Sequence, residues 1–308
     1  MKLLERQLIQ GALQSAVGSP AVPTATDVVA VYGVTPPKML SESLERGMAQ
    51  NTLGNKAKFI VTKGQELEVK SELKGSGIAG TPPEIGQFLR MCRMTEIVEA
   101  GTSVTYLPNS SEEHEVGTIY FFQSGILHQL VDACGSFKID LSAGKFGEIT
   151  FKFTGSYIAP VDMPIPDLSP LAVVPPRFAE AQFTFDSQSL VIQTLSIDMG
   201  NSITERPDAN AVNGLRGFGI TDRAPTCSFD PEAVNVADYD VFGVWASSAQ
   251  KAMSTTLGTT AGNIVGISAP KVQIITPDYG NREKILTHAL SCELIKDVGD
   301  DELQLVFT

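Results

Sequence analysis

A short apolar signature occurs twice in this chain. Phe59-Ile60-Val61-Thr62 returns as Phe218-Gly219-Ile220-Thr221, 159 positions later. What surrounds each copy follows the same order: strand-like runs, one amphipathic stretch, then more alternating runs. Ile85, Phe88, Leu89 and Cys92 recur at helical spacing, with Gly101 as a stop; Phe242, Trp245, Ala249 and Met253 do the same, with Gly258 as a stop. Both spans, Ile85 to Gly101 and Phe242 to Gly258, cover 16 positions. Thr81-Pro82-Pro83-Glu84 reads as a capping box for the first helix, and Asp238 or Asp240 as a cap for the second. A duplicated α+β unit is the strongest constraint on what the chain folds into.

The expected strands of the first unit are 56–61 and 66–73, joined at Lys63-Gly64, then 117–123, 137–141 and 148–154. Those of the second are 181–185 paired with 190–199, then 218–221, 226–229, 271–275, 285–294 and a last strand through Leu303, Leu305 and Phe307. Residues 160–176 hold six of the 18 prolines, a density that no central strand or helix tolerates, so this segment is a linker. The resulting division is an N-terminal helix (2–16) and extended arm within 1–55, a first unit at 56–159, a linker at 160–177 and a second unit at 178–308. The fold class is mainly β with one flanking helix per unit.

Composition supports a folded chain: 43% of residues are hydrophobic and 19% charged. The formal net charge is −12, and it is uneven. Residues 1–160 carry 14 Lys and Arg against 16 Asp and Glu, while residues 161–308 carry 9 against 19. An acidic surface does not neutralise phosphates, so tight nucleic-acid binding is not expected, although DNA sliding past such a surface is compatible with it. No apolar run approaches the length of a membrane-spanning helix, and the N-terminus lacks the uninterrupted apolar core of a signal peptide. A cytosolic product is expected. The four cysteines, Cys92, Cys134, Cys227 and Cys292, form no CxxC pair; they read as buried thiols rather than metal ligands.

Candidate chemistry is sparse. Gly75-Ser76-Gly77-Ile78-Ala79-Gly80 fits GxGxxG, but Thr81-Pro82-Pro83 separates the last glycine from the helix start, so a flexible loop is the better reading. Among the histidines, His114 sits in the acidic run Glu112-Glu113-His114-Glu115 and reads as solvated. His128 has Ser124 and Asp132 near in sequence, without the Gly-x-Ser-x-Gly turn of a hydrolase. The third is His288. Asp297, Asp300, Asp301 and Glu302 form an acidic cluster expected to be a surface turn. Trp245, the only tryptophan, is expected in the core. No cofactor or metal is expected.

Several segments carry a resemblance. They are Glu99-Ala100-Gly101-Thr102-Ser103-Val104-Thr105-Tyr106-Leu107-Pro108-Asn109-Ser110, Thr118-Ile119-Tyr120-Phe121-Phe122-Gln123-Ser124-Gly125, Ala143-Gly144-Lys145-Phe146-Gly147-Glu148-Ile149 and Phe153-Thr154-Gly155-Ser156-Tyr157. This text resembles the major tail tube proteins of long-tailed bacteriophages, and Ser196-Ile197-Asp198-Met199-Gly200-Asn201 is similar to a strand end of the same group. The resemblance is close over about residues 55–160 and looser over 180–308. It implies a β-sandwich or split barrel, six such units closing into a ring, and rings stacking through arms and loops into a tube that passes DNA. Two units per chain imply three chains per ring. Implied partners are further copies of the chain, a tape measure protein and tail-end proteins, with no membrane; the implied location is the virion tail. Glu66, Glu68 and Glu148, alternating with apolar residues, are candidates to face the lumen. Other readings are a tail terminator or baseplate ring protein, or a nucleotide-binding enzyme built on Gly75–Gly80.

Overall fold

The computed structural model describes residues 6–112, 114–211 and 214–308. Alternation of apolar and polar residues dominates the described chain, and strands follow from it. In order they are β1 (Gln7–Leu13), β2 (Val31–Glu45), β3 (Lys58–Glu72), β4 (Met94–Glu99), β5 (Ser103–Pro108), β6 (Gly117–Gln123), β7 (Ile126–Ser142), β8 (Glu148–Tyr157), β9 (Val161–Asp162), β10 (Thr184–Phe185), β11 (Thr194–Asp198), β12 (Asn201–Pro207), β13 (Leu215–Arg223), β14 (Thr226–Phe229), β15 (Gln250–Leu257), β16 (Val265–Arg282), β17 (Ile285–Ile295) and β18 (Gln304–Phe307). Two helices, α1 (Gly86–Met91) and α2 (Val241–Ala246), have six residues each. The class is mainly β, as the alternation predicts.

The main sheet runs β2-β3-β8-β7-β11-β14-β17-β16-β18-β5-β4, antiparallel throughout. Its first eight strands are four hairpins side by side. They are β2/β3, β7/β8, the bent pair β11–β12/β13–β14, and β16/β17. The two longest strands, β7 and β16, also carry β6 and β15 on their N-terminal halves. Each has a register shift along its length, between Val131 and Cys134 in β7 and between Ile274 and Thr276 in β16. Such bulges let a strand turn from one layer of a sandwich into the other.

One core joins the layers. Leu67, Phe137, Phe151, Phe153, Ile197, Phe229, Cys292 and Ile274 come from the eight-strand array. Ile9, Phe121, Tyr106, Leu305 and Phe307 come from the strands above, and Phe88 and Leu89 from α1. Phe88 meets Phe151 and Phe153 edge-on at 5.5 and 5.0 Å, contacts worth about 1 kcal/mol each beyond their buried area. All four cysteines are buried free thiols.

Several expected elements differ. The described part of segment 2–16 is a strand, β1, paired along its length with β6; Leu3 and Leu4 lie outside the described residues. Gly11 decides the matter locally, because a Cβ there would stand 2.3 Å from the Phe88 ring; the strand needs the bare backbone to pass α1. The extended arm within 18–55 contains β2, which pairs with β3 despite Pro36-Pro37. The two runs meeting at Lys63-Gly64 form one strand, β3, because the ladder to β2 continues through both residues. Both helices are shorter than their spacing predicts. Arg93 (φ 66°) and Ser248 (φ 54°) turn the chain out two residues after each helix, and the β-branched runs that follow become β4 and β15. Gly101 and Gly258 therefore sit in the turns after those strands. The capping box at Thr81–Glu84 does not form. Helix α1 begins after Ile85 without a side-chain cap, and Glu84 reaches Lys74 instead. Asp240 does cap α2, accepting the Gly243 N–H at 2.8 Å. Finally, β10 pairs with β15 and β11 with β7 and β14, rather than with each other.

Candidate functional site

One extended surface is the face of the eight-strand array turned away from the core. Period-two alternation builds it. Along β3, Leu67 and Val69 are buried, whereas Glu66, Glu68, Lys70 and Glu72 point outward. On β8, Ile149, Phe151 and Phe153 are buried and Glu148, Thr150 and Lys152 are not. The same division continues through Lys138 and Asp140 on β7, Ser196 and Asp198 on β11, Thr226 and Ser228 on β14, and Ser291 and Glu293 on β17. The ladder pairs hold the face in register: Glu68 opposes Lys152, Glu72 opposes Glu148, Lys138 opposes Asp198 and Thr226 opposes Glu293.

Glu66, Glu68 and Glu148, expected from sequence to share a role, thus do share one face. Glu66 lies against Lys38 at 3.8 Å and Lys152 at 2.5 Å. Lys138 pairs with Asp140 at 3.0 Å, and Ser196 donates to Asp140 at 2.8 Å. Carboxylates still exceed ammonium groups: Glu66, Glu68, Glu72, Glu148, Asp140, Asp198 and Glu293 face Lys38, Lys70, Lys138 and Lys152. At the β2 edge, burial together with Glu148 and Glu72 raises the Tyr32 hydroxyl well above the ordinary tyrosine value. Sequence alone showed alternation on β3 and β8; the strands that complete the face, β11, β14 and β17, become neighbours only through the long-range pairing.

The other candidates are brought to structural ends. Gly75 N donates to Asn263 Oδ1 at 2.9 Å and Gly77 N to the Gly262 carbonyl at 2.8 Å. A Cβ on Gly75 would lie 2.2 Å from the Gly262 oxygen, so this glycine run packs one loop on another, and two N–H groups of a would-be phosphate cradle are engaged. His128 stands beside Phe121, and Asp132 accepts the Gly18 N–H at 2.7 Å; no hydrogen bond joins the two. His114 is half-buried rather than solvated and lines a polar cleft of about 740 Å³ with Arg90, Glu115 and Arg206. Burial, then Arg93 and Arg206, lowers its pKa. Burial also lowers His128 and His288. His288 stacks on Tyr279 at 5.3 Å.

The carboxylates of the acidic C-terminal turn are taken up by contacts within the chain, apart from Glu302 Oε2, which is buried without a hydrogen bond. Asp297 pairs with Lys271, and Asp301 accepts the N–H groups of Asp297 and Val298. Asp300 and Glu302 both bind Arg223. Trp245 is 45% exposed, not core: α2 presents it sideways, and its Nε1 donates to the Ile275 carbonyl at 3.0 Å. Among the described residues no group of three or more metal-ligating side chains comes together. Among the described residues no helix is long and apolar enough to cross a membrane.

With the fold and this face in view, the chain is similar to a known family: the family described as phage tail tube protein matches residues 6–285. The chain belongs to this family. As a phage tail tube protein it is a structural component of the virion tail and assembles with copies of itself into a multi-subunit tube. Among curated proteins nothing matches it.

Proposed function

We propose that three chains close into a ring, that rings stack into the tail tube, and that the polar face of the eight-strand array lines the channel through which DNA leaves. One observation carries the reading: this face is continuous across all four hairpins and carries an excess of carboxylate. Fixed negative charge repels phosphates, so DNA slides without adhering. The subunit acts by shape and charge rather than by catalysis. Its further partners in the tail are a tape measure protein inside the channel and tail-end proteins at its termini.

Two tube units per chain, at 56–159 (completed by β2 from the preceding arm) and 178–308 with the linker at 160–177, give the three-chain ring. The order of the array supports this duplication. Hairpins β2/β3 and β7/β8 meet through β3 and β8; the hairpin ending in β14 and the hairpin β16/β17 meet through β14 and β17. Phe59–Thr62 and Phe218–Thr221, the repeated signature, fall on β3 and β13, the returning strands of corresponding hairpins. Each unit then has a six-residue helix that ends two residues before a left-handed residue.

Channel size separates the possible rings. At a spacing of ~4.8 Å and a tilt of ~40°, eight strands from each of three chains make a wall about 48 Å across. Two chains give about 32 Å, and a side-chain layer on each wall removes roughly 10 Å, which leaves little room for a hydrated duplex. Six chains give about 96 Å, far wider than needed. The projecting end of the β2/β3 hairpin exposes Met39, Leu44, Met48, Leu53, Phe59 and Ile60, an apolar tip suited to seat on the next ring. Electron microscopy of the purified protein tests the reading. Stacked rings are expected; single rings or dispersed monomers at all concentrations overturn it.

A further inference from the structure

The two copies of the apolar signature differ most at their second residue, which is Ile60 in the first and Gly219 in the second. No left-handed backbone calls for glycine at this place on β13. A Cβ there would meet only ordinary contacts, Arg206 Cδ at 3.5 Å and His114 Nε2 at 3.8 Å. The missing side chain therefore leaves a bare floor between an arginine and a histidine. Both of them line the polar cleft of about 740 Å³.

The groups around this floor are short of partners. His114 turns one ring nitrogen to the Glu112 carbonyl, and its Nε2 is buried without a hydrogen bond. Arg206, on β12, has no ion pair among the described residues. Arg93 approaches the same imidazole. Its guanidinium donates to the Ile220 and Ser111 carbonyls, which are neutral, so its charge is not cancelled. Two described carboxylates of the cleft are already engaged. Glu115 accepts two hydrogen bonds from Arg90, and Glu96 accepts the Tyr106 hydroxyl at 2.5 Å and lies 3.6 Å from Arg90. The third, Glu112, is exposed. Burial and the two neighbouring guanidinium groups keep the His114 ring neutral, so its Nε2 offers a lone pair.

Uncancelled guanidinium groups call for an anion, and an unprotonated imidazole nitrogen calls for a donor. A protonated phosphate ion carries both on one tetrahedral centre: charged oxygens for Arg206, and a P–OH for His114 Nε2. Sulfate and chloride bring the charge without the proton. We infer that Arg206, His114 and the bare Gly219, backed by the charge of Arg93, form a binding site for inorganic phosphate. The ion ties β12 and β13 to the segment between β5 and β6, and so clamps the second half of the chain to the first. Ile60 at the equivalent position of the first copy leaves no such floor, which makes this a property of the second copy alone.

Equilibrium dialysis of the full chain against radiolabelled inorganic phosphate, in chloride buffer near neutral pH, tests the site. Saturable binding of one ion per chain is expected, with sulfate a poor competitor. Arg206→Gln, at an exposed position, is expected to keep the fold and to weaken binding about tenfold or more, because a charge-assisted hydrogen bond is lost. Gly219→Ile, which installs the residue of the first copy, is expected to abolish binding. Urea midpoints in chloride alone check that both variants fold. Added phosphate should raise the midpoint of the unmodified chain and leave that of Arg206→Gln unmoved. The site is overturned if millimolar phosphate shows no saturable binding, if Arg206→Gln binds as the unmodified chain does, or if sulfate competes as strongly as phosphate. Dialysis reads single chains and tubes alike, so failure here leaves the tube reading untouched.

Discussion

At the scale of single residues, the proposed channel lining gives the outward carboxylates a functional role that stability does not require. Glu66 pairs with Lys38 and Lys152, and ion pairs of this kind at a sheet surface contribute about 0–1 kcal/mol each. Replacing all three by Lys is expected to leave folding intact and to reverse the sign of the local field. Tubes of this variant then retain DNA at low salt and release it as salt rises, whereas unmodified tubes retain none; a filter-binding series across salt concentrations checks this. Arg223 is the opposite case. It is largely enclosed between Asp300 and Glu302, pinning β13 to the C-terminal turn. Burial alone would raise the Asp300 carboxyl, but hydrogen bonds from Ser110 and Arg223 outweigh it and hold the group below the usual carboxylate range. A lowered native pKa stabilises the fold above the unfolded value of about 4 and is lost as pH falls below it. Asp300→Asn is therefore expected to flatten the fall of the urea midpoint between pH 5 and pH 2.5 relative to the unmodified protein.

At the scale of elements, the sequence is legible where alternation is long and illegible where an element is short. Strands β6, β8 and β17 lie where Gly117–Gln123, Glu148–Thr154 and Ile285–Leu294 place them, because each is a long run rich in apolar and β-branched residues. The face that Glu66, Glu68 and Glu148 share also follows from alternation. Its extent does not, because which strand lies beside β7 is decided by contacts across the chain. The helical spacing runs past the end of α2 because Ala249 and Met253 keep it by coincidence: β15 buries Met253, Thr255 and Leu257 at period two. The N-terminal segment misled for a related reason, since seven residues with Leu8, Ile9 and Leu13 satisfy either period. What ends α2 is Ser248 in the left-handed region, a conformation that costs a non-glycine residue about 1 kcal/mol. Ser248→Gly is expected to stabilise the fold by about 0.5–1 kcal/mol, read as a higher urea midpoint at unchanged slope.

At the scale of the whole molecule, the chain is a section of wall. One face buries the aromatic core, the opposite face is a charged sheet, and the two ends of the array are open edges. A monomer with such edges is prone to uncontrolled pairing, and closure into a ring removes the liability. In the proposed three-chain ring, uneven charge along the sequence gives a three-fold electrostatic pattern even where the backbone approaches six-fold symmetry. A cryo-electron microscopy map of the assembled tube tests this most directly. The account predicts three chains per ring, with Glu66, Glu68 and Glu148 on the inner wall; six chains per ring, or those carboxylates on the outer wall, would contradict it.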